Sequence, residues 1–246
     1  MPLRSYENCQ QKIDTLKQKI DRQRPLKKAQ LIQLRAYYAV GLTYTSNALE
    51  GNSLTESETK IVIEDGLTIG GKPLKEHFEA IGHAQALTEV YTLAAQKSFT
   101  EKDLLRLHKI FYHQINAGRA GVYRKEKVII TGTPFVPPLP GRVPALMKQW
   151  IKQIPIIKKK LHPVDFAAWL HLKLVTIHPF IDGNGRTARL LMNLALLQSG
   201  YCITIIPPML RSDYIDSLHR AQVGEKDATA FYNFISSAVY ESMKEY

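Results

Sequence analysis

The chain is 246 residues long, which fits one domain with an additional segment. Apolar residues make up 45% of it and charged residues 22%, a balance typical of globular proteins and unlike that of disordered chains. The two cysteines, Cys9 and Cys202, lack the spacing of metal ligands, and the sequence has no uncharged apolar run long enough to span a membrane. These features predict a soluble, cytoplasmic protein that needs neither a disulfide nor a structural metal to fold.

The net charge of +11 is distributed unevenly. Residues 1–35 hold nine Lys or Arg against three acidic residues, and a second basic cluster lies at 158–160. Positive charge of this kind can attract nucleic acid. No zinc-finger spacing, aromatic-basic RNA signature or helix-turn-helix pattern accompanies it. We therefore interpret the charge as solvated helix faces and regard nucleic acid as an unlikely partner; the alternatives are an acidic partner, phosphate steering or weak nucleic-acid contact.

The first half of the chain predicts a series of helices separated by turns. Apolar residues at helical spacing predict a first helix over residues 6–23, which Pro25 ends. A second helix is predicted over 28–49 and stops at Gly51, because glycine can adopt a left-handed turn. Further helices in this half are predicted over 53–62, 74–96 and 100–115.

The pattern changes at residues 118–144, which contain most of the strand-like sequence. A short β-hairpin is predicted over about 121–138. The residues that would form its first strand and turn are Val128, Ile129, Ile130, Thr131 and Gly132. Helical patterns return over 144–160, 163–177, 187–199, 211–222 and 227–244. The predicted fold class is mainly α with one short β-hairpin.

One segment, residues 178–189, combines the groups that phosphate chemistry needs. Its sequence is HPFIDGNGRTAR, a polar loop that leads into a predicted helix. Free backbone N–H groups and the positive end of the helix dipole favour a bound anion at such a helix start. Glycines also allow the backbone to approach phosphate oxygens closely. The segment therefore predicts a phosphate-binding loop.

Charged side chains in the same segment support this interpretation. Arg186 and Arg189 are three residues apart, so they share one side of the first helical turn. Cations there oppose the helix dipole, at a cost of roughly 0.3–1 kcal/mol each, unless an anion lies between them. Asp182 offers the oxygen ligand that Mg²⁺ prefers, and His178 can accept a proton from a hydroxyl near neutral pH.

A structural interpretation of the same residues is a packed histidine, a simple turn and two arginines in solvent. This interpretation suits any one of these residues taken alone. It does not account for a base, a metal ligand, an anion-binding loop and two arginines within twelve residues. That combination is what the chemistry of phosphate esters requires.

The segment resembles the signature of the Fic family, His-x-Phe-x-(Asp/Glu)-Gly-Asn-Gly-Arg-x-x-Arg, at every defined position. The resemblance extends over residues 36 to 240. It implies a Fic-type helical core over 36–246, preceded by a basic helical extension at 1–35. Within the core it implies an inhibitory helix at about 36–52, a flap formed by the hairpin at about 121–138, and a motif loop and helix at 178–199.

This resemblance implies a protein adenylyltransferase, which moves AMP from ATP to a Ser, Thr or Tyr hydroxyl of a target protein or of itself. His178 would be the base that activates the hydroxyl, and Asp182 would hold Mg²⁺ against the phosphates. Arg186 would grip the departing pyrophosphate, and Arg189 would hold the γ-phosphate. The residues that would cradle the α-phosphate and its neighbour are Gly183, Asn184 and Gly185.

The family resemblance also implies a brake and a docking surface. Ser46, Glu50 and Gly51 match the family's inhibitory motif, (Ser/Thr)-x-x-x-Glu-(Gly/Asn). Glu50 would pair with Arg189 and so occupy the partner of the γ-phosphate. The flap would pair with the backbone of the target protein as an added strand. Homodimers are common among relatives, which leaves a homodimer open here.

Two features leave the chemistry open. Brakes placed before the core resemble those of a subclass in which the engaged glutamate also supports removal of AMP from a protein. The adenine pocket departs from the family pattern, because Tyr214 and Gln222 stand where paired tyrosines and an asparagine are common. The alternatives are therefore a de-AMPylase, a transferase of another phosphate-linked group, and a non-catalytic regulator that binds a nucleotide or nucleic acid.

Overall fold

The computed structural model describes residues 7–130, 133–223 and 227–246. Its α-helices are Glu7–Asp21 (α1), Lys28–Ala48 (α2), Glu56–Lys60 (α3), Leu74–Ala94 (α4), Glu101–Tyr112 (α5), Val143–Lys158 (α6), Pro163–Ile177 (α7), Asn184–Gln198 (α8), Arg211–Val223 (α9) and Thr229–Lys244 (α10). A π-helical turn, Ile61–Asp65, follows α3, and short 3₁₀ turns, Pro140–Arg142 and Pro208–Leu210, precede α6 and α9. The mainly α fold predicted from the sequence is confirmed.

Helices α7 and α8 lie side by side at the centre of the molecule. Both are buried on nearly all sides. Helix α7 is apolar around most of its circumference, whereas α8 also buries the polar side chains of Arg186, Arg189 and Asn193, which have ion-pair or hydrogen-bond partners. Helix α4 packs against α8 and α5, while α10 packs against α7 and α9. The loop between α7 and α8 is therefore held between two fully packed helices, which fixes the predicted phosphate-binding segment in place.

The prediction of a β-hairpin is corrected by the structure, since no strand occurs among the described residues of 121–138. Val128, Ile129 and Ile130 are irregular, and the Ile129 side chain is 91% exposed. Two strands without a third strand or a covering helix are marginal in water. Three prolines in the second half, at 134, 137 and 138, also remove backbone donors. Thr131 and Gly132 lie outside the described residues.

Helix α1, within the predicted basic extension, packs on the body of the protein. Its apolar stripe faces α10, and Ile13 is fully buried in the main core. Asp14 on the same helix accepts hydrogen bonds from the Tyr201 hydroxyl at 3.1 Å and the His162 Nε2 at 3.2 Å. The division into a segment 1–35 and a domain 36–246 stays a prediction, but α1 shares its core with the helices of the larger part.

Within the ranges that the structure describes, no helix combines the length and the hydropathy of a membrane span.

Candidate active site

The loop between α7 and α8 is shaped by backbone turns at both of its ends. His178 ends α7 in a left-handed conformation, with φ of 52°, while its N–H still donates to the Leu174 carbonyl at 2.8 Å. Gly183 begins α8 with φ of 77°, a value that favours glycine. A Cβ on Gly183 would lie 2.7 Å from the Phe111 ring. The sequence Asp-Gly-Asn-Gly therefore supplies the conformational freedom that this reversal needs.

Asn184 holds the loop from within. Its Oδ1 accepts from the Phe180 N–H and its Nδ2 donates to the Phe180 carbonyl, both at 2.9 Å. The side chain is buried, so its two polar ends are used inside the loop. The first backbone N–H groups of α8, at Asn184 and Gly185, are the ones that a helix leaves without intrahelical partners. Those N–H groups are the chemical basis for binding an anion here.

His178 presents one ring nitrogen as a base. Its Nδ1 lies 3.2 Å from the Val175 carbonyl, which can only accept, so Nδ1 carries the proton and Nε2 is left with a lone pair. Burial lowers the pKa of His178, and the Val175 carbonyl partly opposes this shift. The imidazole is therefore neutral at pH 7 and able to accept a proton.

Arg189 is buried in the second turn of α8 and is paired with Glu50. Its Nη2 donates to Glu50 Oε1 at 2.7 Å and to the Ser46 carbonyl at 2.8 Å, while its Nε donates to Ser46 Oγ at 2.9 Å. Burial tends to raise the pKa of Glu50, but Arg189 and Arg186 reverse this shift and lower it. The charged Glu50 carboxylate thus binds the Arg189 guanidinium, which the family resemblance assigns to the γ-phosphate.

Glu50 also lies directly over Gly185. A Cβ built on Gly185 would lie only 2.2 Å from Glu50 Oε1, so the side chain fills the space above this α-carbon. The turn that carries Glu50 ends at Gly51, which has φ of 93°. Ser46 and Glu50 of the predicted inhibitory motif therefore contact Arg189 of the predicted phosphate-binding segment, and Gly51 ends their turn, although the sequence alone did not require this contact.

Arg186 is buried between two carboxylates. Its Nη1 lies 2.8 Å from Glu79 Oε1 and its Nη2 lies 3.2 Å from Asp182 Oδ1. Its guanidinium also stacks on the Phe111 ring, 4.7 Å from the centroid. Glu79 was not predicted from the sequence. The sequence gives only a weak indication of it, since Glu79 and His83 lie four residues apart on a helix face that is otherwise apolar.

Asp182 is the candidate metal ligand of this site. Burial tends to raise its pKa, but Arg186, the Gly183 N–H and Lys75 reverse this shift and lower it, so the carboxylate is charged. Its side chain is 38% exposed. The described residues contain no cluster of three His, Cys, Asp or Glu side chains that could hold a metal alone. One charged carboxylate suits Mg²⁺ that takes its other ligands from phosphates and water.

A buried histidine and a buried arginine, neither predicted from the sequence, support the loop from outside. His108 Nε2 donates to the Asp182 carbonyl at 3.1 Å, while its Nδ1 accepts from the Gly121 N–H at 2.9 Å. Burial lowers the pKa of His108 to about 4, so it stays neutral. Arg124 donates from Nε to the His178 carbonyl at 2.7 Å and from its other nitrogens to the carbonyls of Glu126 and Pro138. Arg124 thereby connects two points of the flap segment, Glu126 and Pro138, to His178.

The two residues predicted for an adenine pocket lie in different surroundings. Tyr214 is buried behind Arg189; its hydroxyl is 3.3 Å from Arg189 Nη1 and 2.9 Å from His171 Nε2. Gln222 is partly buried, and its Nε2 lies 3.5 Å from the Val175 carbonyl that also contacts His178. Their role at the base stays a prediction.

Comparisons with known proteins agree with this geometry. The model of the Fic/DOC family matches residues 98–196, which include the loop and α8. The protein adenylyltransferase Fic of Drosophila persimilis is 38% identical over 207 residues, which cover 82% of this chain and 40% of the relative. The chain therefore spans about two fifths of the length of the curated relatives that it matches.

Two solved structures share the whole fold. A Fic domain containing signaling protein from Bacteroides thetaiotaomicron superposes with a TM-score of 0.86 at 32% identity, and 95% of each chain is covered. Fic-1 of C. elegans, residues 134–508, superposes with a TM-score of 0.85 at 28% identity, covering 97% of this chain and 72% of that one. Sequence motif, site geometry and fold thus converge: the chain belongs to the Fic/DOC family.

Proposed function

We propose that the protein is an adenylyltransferase that transfers AMP from ATP to a Ser, Thr or Tyr hydroxyl of a protein, and that Glu50 inhibits it. The observation that carries the proposal is the meeting of His178, Arg186 and Arg189 at one helix start, with Glu50 bound to Arg189. The curated relatives named protein adenylyltransferase Fic support the reaction class.

The transfer step uses the neutral His178 as its base. The target hydroxyl gives its proton to His178 Nε2 while its oxygen forms a bond to the α-phosphorus. The bond from that phosphorus to the bridging oxygen breaks, and pyrophosphate leaves with the electron pair. Backbone N–H groups at the start of α8 and the Arg186 guanidinium oppose the negative charge that develops.

Asp182 would hold Mg²⁺ at the phosphates, as its charge and exposure allow. When bound, Mg²⁺ supplies charge neutralisation on the phosphate oxygens. Arg186, next to Asp182, and Arg189, once Glu50 withdraws, would add positive charge at the phosphates.

Inhibition follows from competition for Arg189. A buried arginine bound to a charged carboxylate offers little attraction to a phosphate, because its charge is already compensated. Around the loop three cations, Arg186, Arg189 and Lys75, face three carboxylates, Glu50, Glu79 and Asp182. Withdrawal of Glu50 leaves one net positive charge for the triphosphate.

A second candidate is removal of AMP from a modified protein. The Glu50 carboxylate lies over Gly185 and is 38% exposed, so in its engaged position it could orient a water near the α-phosphate. In this reaction Glu50 would be required, whereas transfer of AMP requires its withdrawal.

The test is labelling with ATP that carries the label at the α-phosphate. We expect the Glu50→Gly variant with Mg²⁺ to label itself strongly, and the wild type to label at least about tenfold less, a factor that corresponds to roughly 1.4 kcal/mol. Glu50→Gly/His178→Ala is the matched control and should stay unlabelled, because it lacks the base.

If Glu50→Gly stays silent with ATP while another labelled nucleotide reacts, the substrate assignment is wrong. If Glu50→Gly instead loses the ability to release AMP from a labelled protein that the wild type releases, the second candidate replaces the first.

The other parts of the predicted function stay predictions. They are docking of the target on the flap segment with Val128, Ile129 and Ile130, the adenine contacts of Tyr214 and Gln222, a homodimer, and a cytoplasmic location. Ile129 and Val136 are exposed to 91% and 80%, and the irregular backbone at 128–130 could pair with a target strand. This exposure supports target docking on the flap.

A further inference from the structure

Glu79 has an environment that differs from that of an ordinary surface glutamate. It lies on α4, and its side chain is only 9% exposed. One carboxylate oxygen, Oε1, is 2.8 Å from Arg186 Nη1, and Oε2 accepts from Asn52 Nδ2 at 3.0 Å. Lys75, one helical turn earlier, is 3.7 Å from Oε1. Glu79 therefore joins the candidate pyrophosphate arginine to the segment that follows the inhibitory motif.

The orientation of Arg186 depends on these outer contacts. Its Nε has no hydrogen-bond partner within the described part of the chain, so only the two Nη groups fix the plane of the guanidinium. Nη1 reaches Glu79 and, more weakly, Asn47 Oδ1 at 3.5 Å, while Nη2 reaches Asp182 at 3.2 Å. Phe111 supports the face of the guanidinium.

The two carboxylates that pair with Arg186 differ in whether they keep this contact when nucleotide and metal bind. Asp182 is 38% exposed and is the candidate ligand of Mg²⁺, so in the loaded enzyme it is shared. Glu79 is nearly buried and is not a candidate ligand of Mg²⁺. A buried guanidinium that lost its only permanent carboxylate would turn toward Asp182.

We propose that Glu79 is the positioning residue of Arg186. Glu79 holds the guanidinium in line with the departing pyrophosphate and leaves Asp182 available to the metal. This inference rests on the proposed function. It assigns Glu79 no contact with the substrate; Glu79 acts through Arg186. Its link to Asn52 also connects this arginine to the turn that ends the inhibitory helix.

The first test is a double-mutant cycle in the Glu50→Gly background. Glu79→Gln keeps the shape of the side chain and removes its charge. We expect it to lower the kcat for self-labelling by about tenfold, without raising the KM for ATP, when Arg186 is present. With Arg186→Gln already in place, the same change should alter kcat by less than about twofold.

Matched controls separate positioning from general stability. Glu89→Gln removes another arginine-paired carboxylate of the same helix, that of Arg106, and should leave kcat unchanged. Glu79→Asp keeps the charge and should restore part of the activity. The midpoint of thermal unfolding, Tm, is measured for every variant. An equal loss of kcat with and without Arg186, or a failure of Glu79→Asp to restore any activity at unchanged Tm, would overturn the proposal.

A second readout does not depend on activity. Rotation of the Arg186 guanidinium about its Cζ–Nε bond, measured by NMR, should be slow in the parent chain and in Glu89→Gln and at least about tenfold faster in Glu79→Gln. Equal rotation rates in all three chains would exclude a positioning role. A silent Glu50→Gly variant with this rotation difference intact would instead refute the proposed function and leave the positioning role standing.

Discussion

At the scale of single residues, the protonation state of His178 should set the pH range of the proposed transfer of AMP. Burial lowers its pKa below the ordinary histidine value of about 6.5, and a base must be neutral to act. We therefore expect the labelling rate of Glu50→Gly to be constant from pH 7 to 8 and to fall only below pH 6.5. A rate profile of initial self-labelling at fixed Mg²⁺ and ATP checks this. An acid limb centred above pH 6.5 would contradict the buried-base interpretation.

Gly185 gives a second residue-scale prediction. Alanine at this position would place its Cβ 2.2 Å from Glu50 Oε1, so Gly185→Ala and the engaged brake cannot coexist without a shift. We expect Gly185→Ala to push the Glu50 carboxylate away from Arg189 and to destabilise the wild type by about 1 kcal/mol, the low end of the overpacking range, because the clashing atom is the end of a side chain that can move. In the Glu50→Gly background the same substitution should cost much less. Thermal or urea unfolding of the four chains measures the difference.

The matched control is Gly183→Ala, whose Cβ would meet Phe111 instead of Glu50. Its cost should be the same with and without Glu50. If Glu50→Gly fails to relieve the cost of Gly185→Ala, the carboxylate does not occupy this space in solution.

Residues that act in pairs were the hardest to predict from the sequence. His178, Asp182 and the two arginines lie within one loop, so their spacing alone indicated a site. Glu79, His108 and Arg124 reach the same loop from distant parts of the chain, and each is a common residue in an ordinary helix or loop. Helical periodicity places them on buried faces but cannot state which partner each one meets.

At the scale of elements, the helices were predicted well because their apolar periodicity and caps are local. Helix α7, Pro163–Ile177, matches its predicted range, and Thr100 caps α5 as its capping box indicates. The hairpin was predicted wrongly, because β-branched residues favour strands only where a neighbour pairs with them. At 127–130 no described neighbour does so, and Arg124 instead donates to the carbonyls of Glu126 and Pro138.

The end of α2 offers the element-scale prediction. Arg211, at the start of α9, donates from Nε to the Leu49 carbonyl at 2.8 Å, next to Glu50. A cation at a helix C-terminus satisfies a free carbonyl and complements the helix dipole. Arg211→Ala should loosen the turn that carries Glu50 and raise self-labelling of the otherwise wild-type chain by up to about tenfold, given ~1.5 kcal/mol for a charged hydrogen bond.

Arg220→Ala, in the last turn of the same helix, is the control and should not change labelling. Labelling of Arg211→Ala that stays at the wild-type level while Glu50→Gly reacts would show that the Leu49 contact does not hold the brake.

At the scale of the whole molecule, α1 and the larger part of the chain share one hydrophobic core. Ile13 is fully buried, whereas Ile32 on α2 is 59% exposed. Ile13→Ala should lower the free energy of unfolding by about 2–5 kcal/mol, and Ile32→Ala by far less. Urea unfolding should stay a single transition in both. A cost at Ile13 no larger than at Ile32 would mean that α1 does not dock in solution.

Under the proposed function, the position of Glu50 over Gly185 makes this side chain a tethered inhibitor. Because it belongs to the same chain, its effective molarity is set by geometry, reaches millimolar values or more for short tethers, and does not fall on dilution. Free triphosphate at similar concentration must displace the Glu50 carboxylate, which stays at the site because it is part of the same chain. Repression is consequently independent of how much enzyme is present, and the response to nucleotide depends on how firmly the last turn of α2 is held.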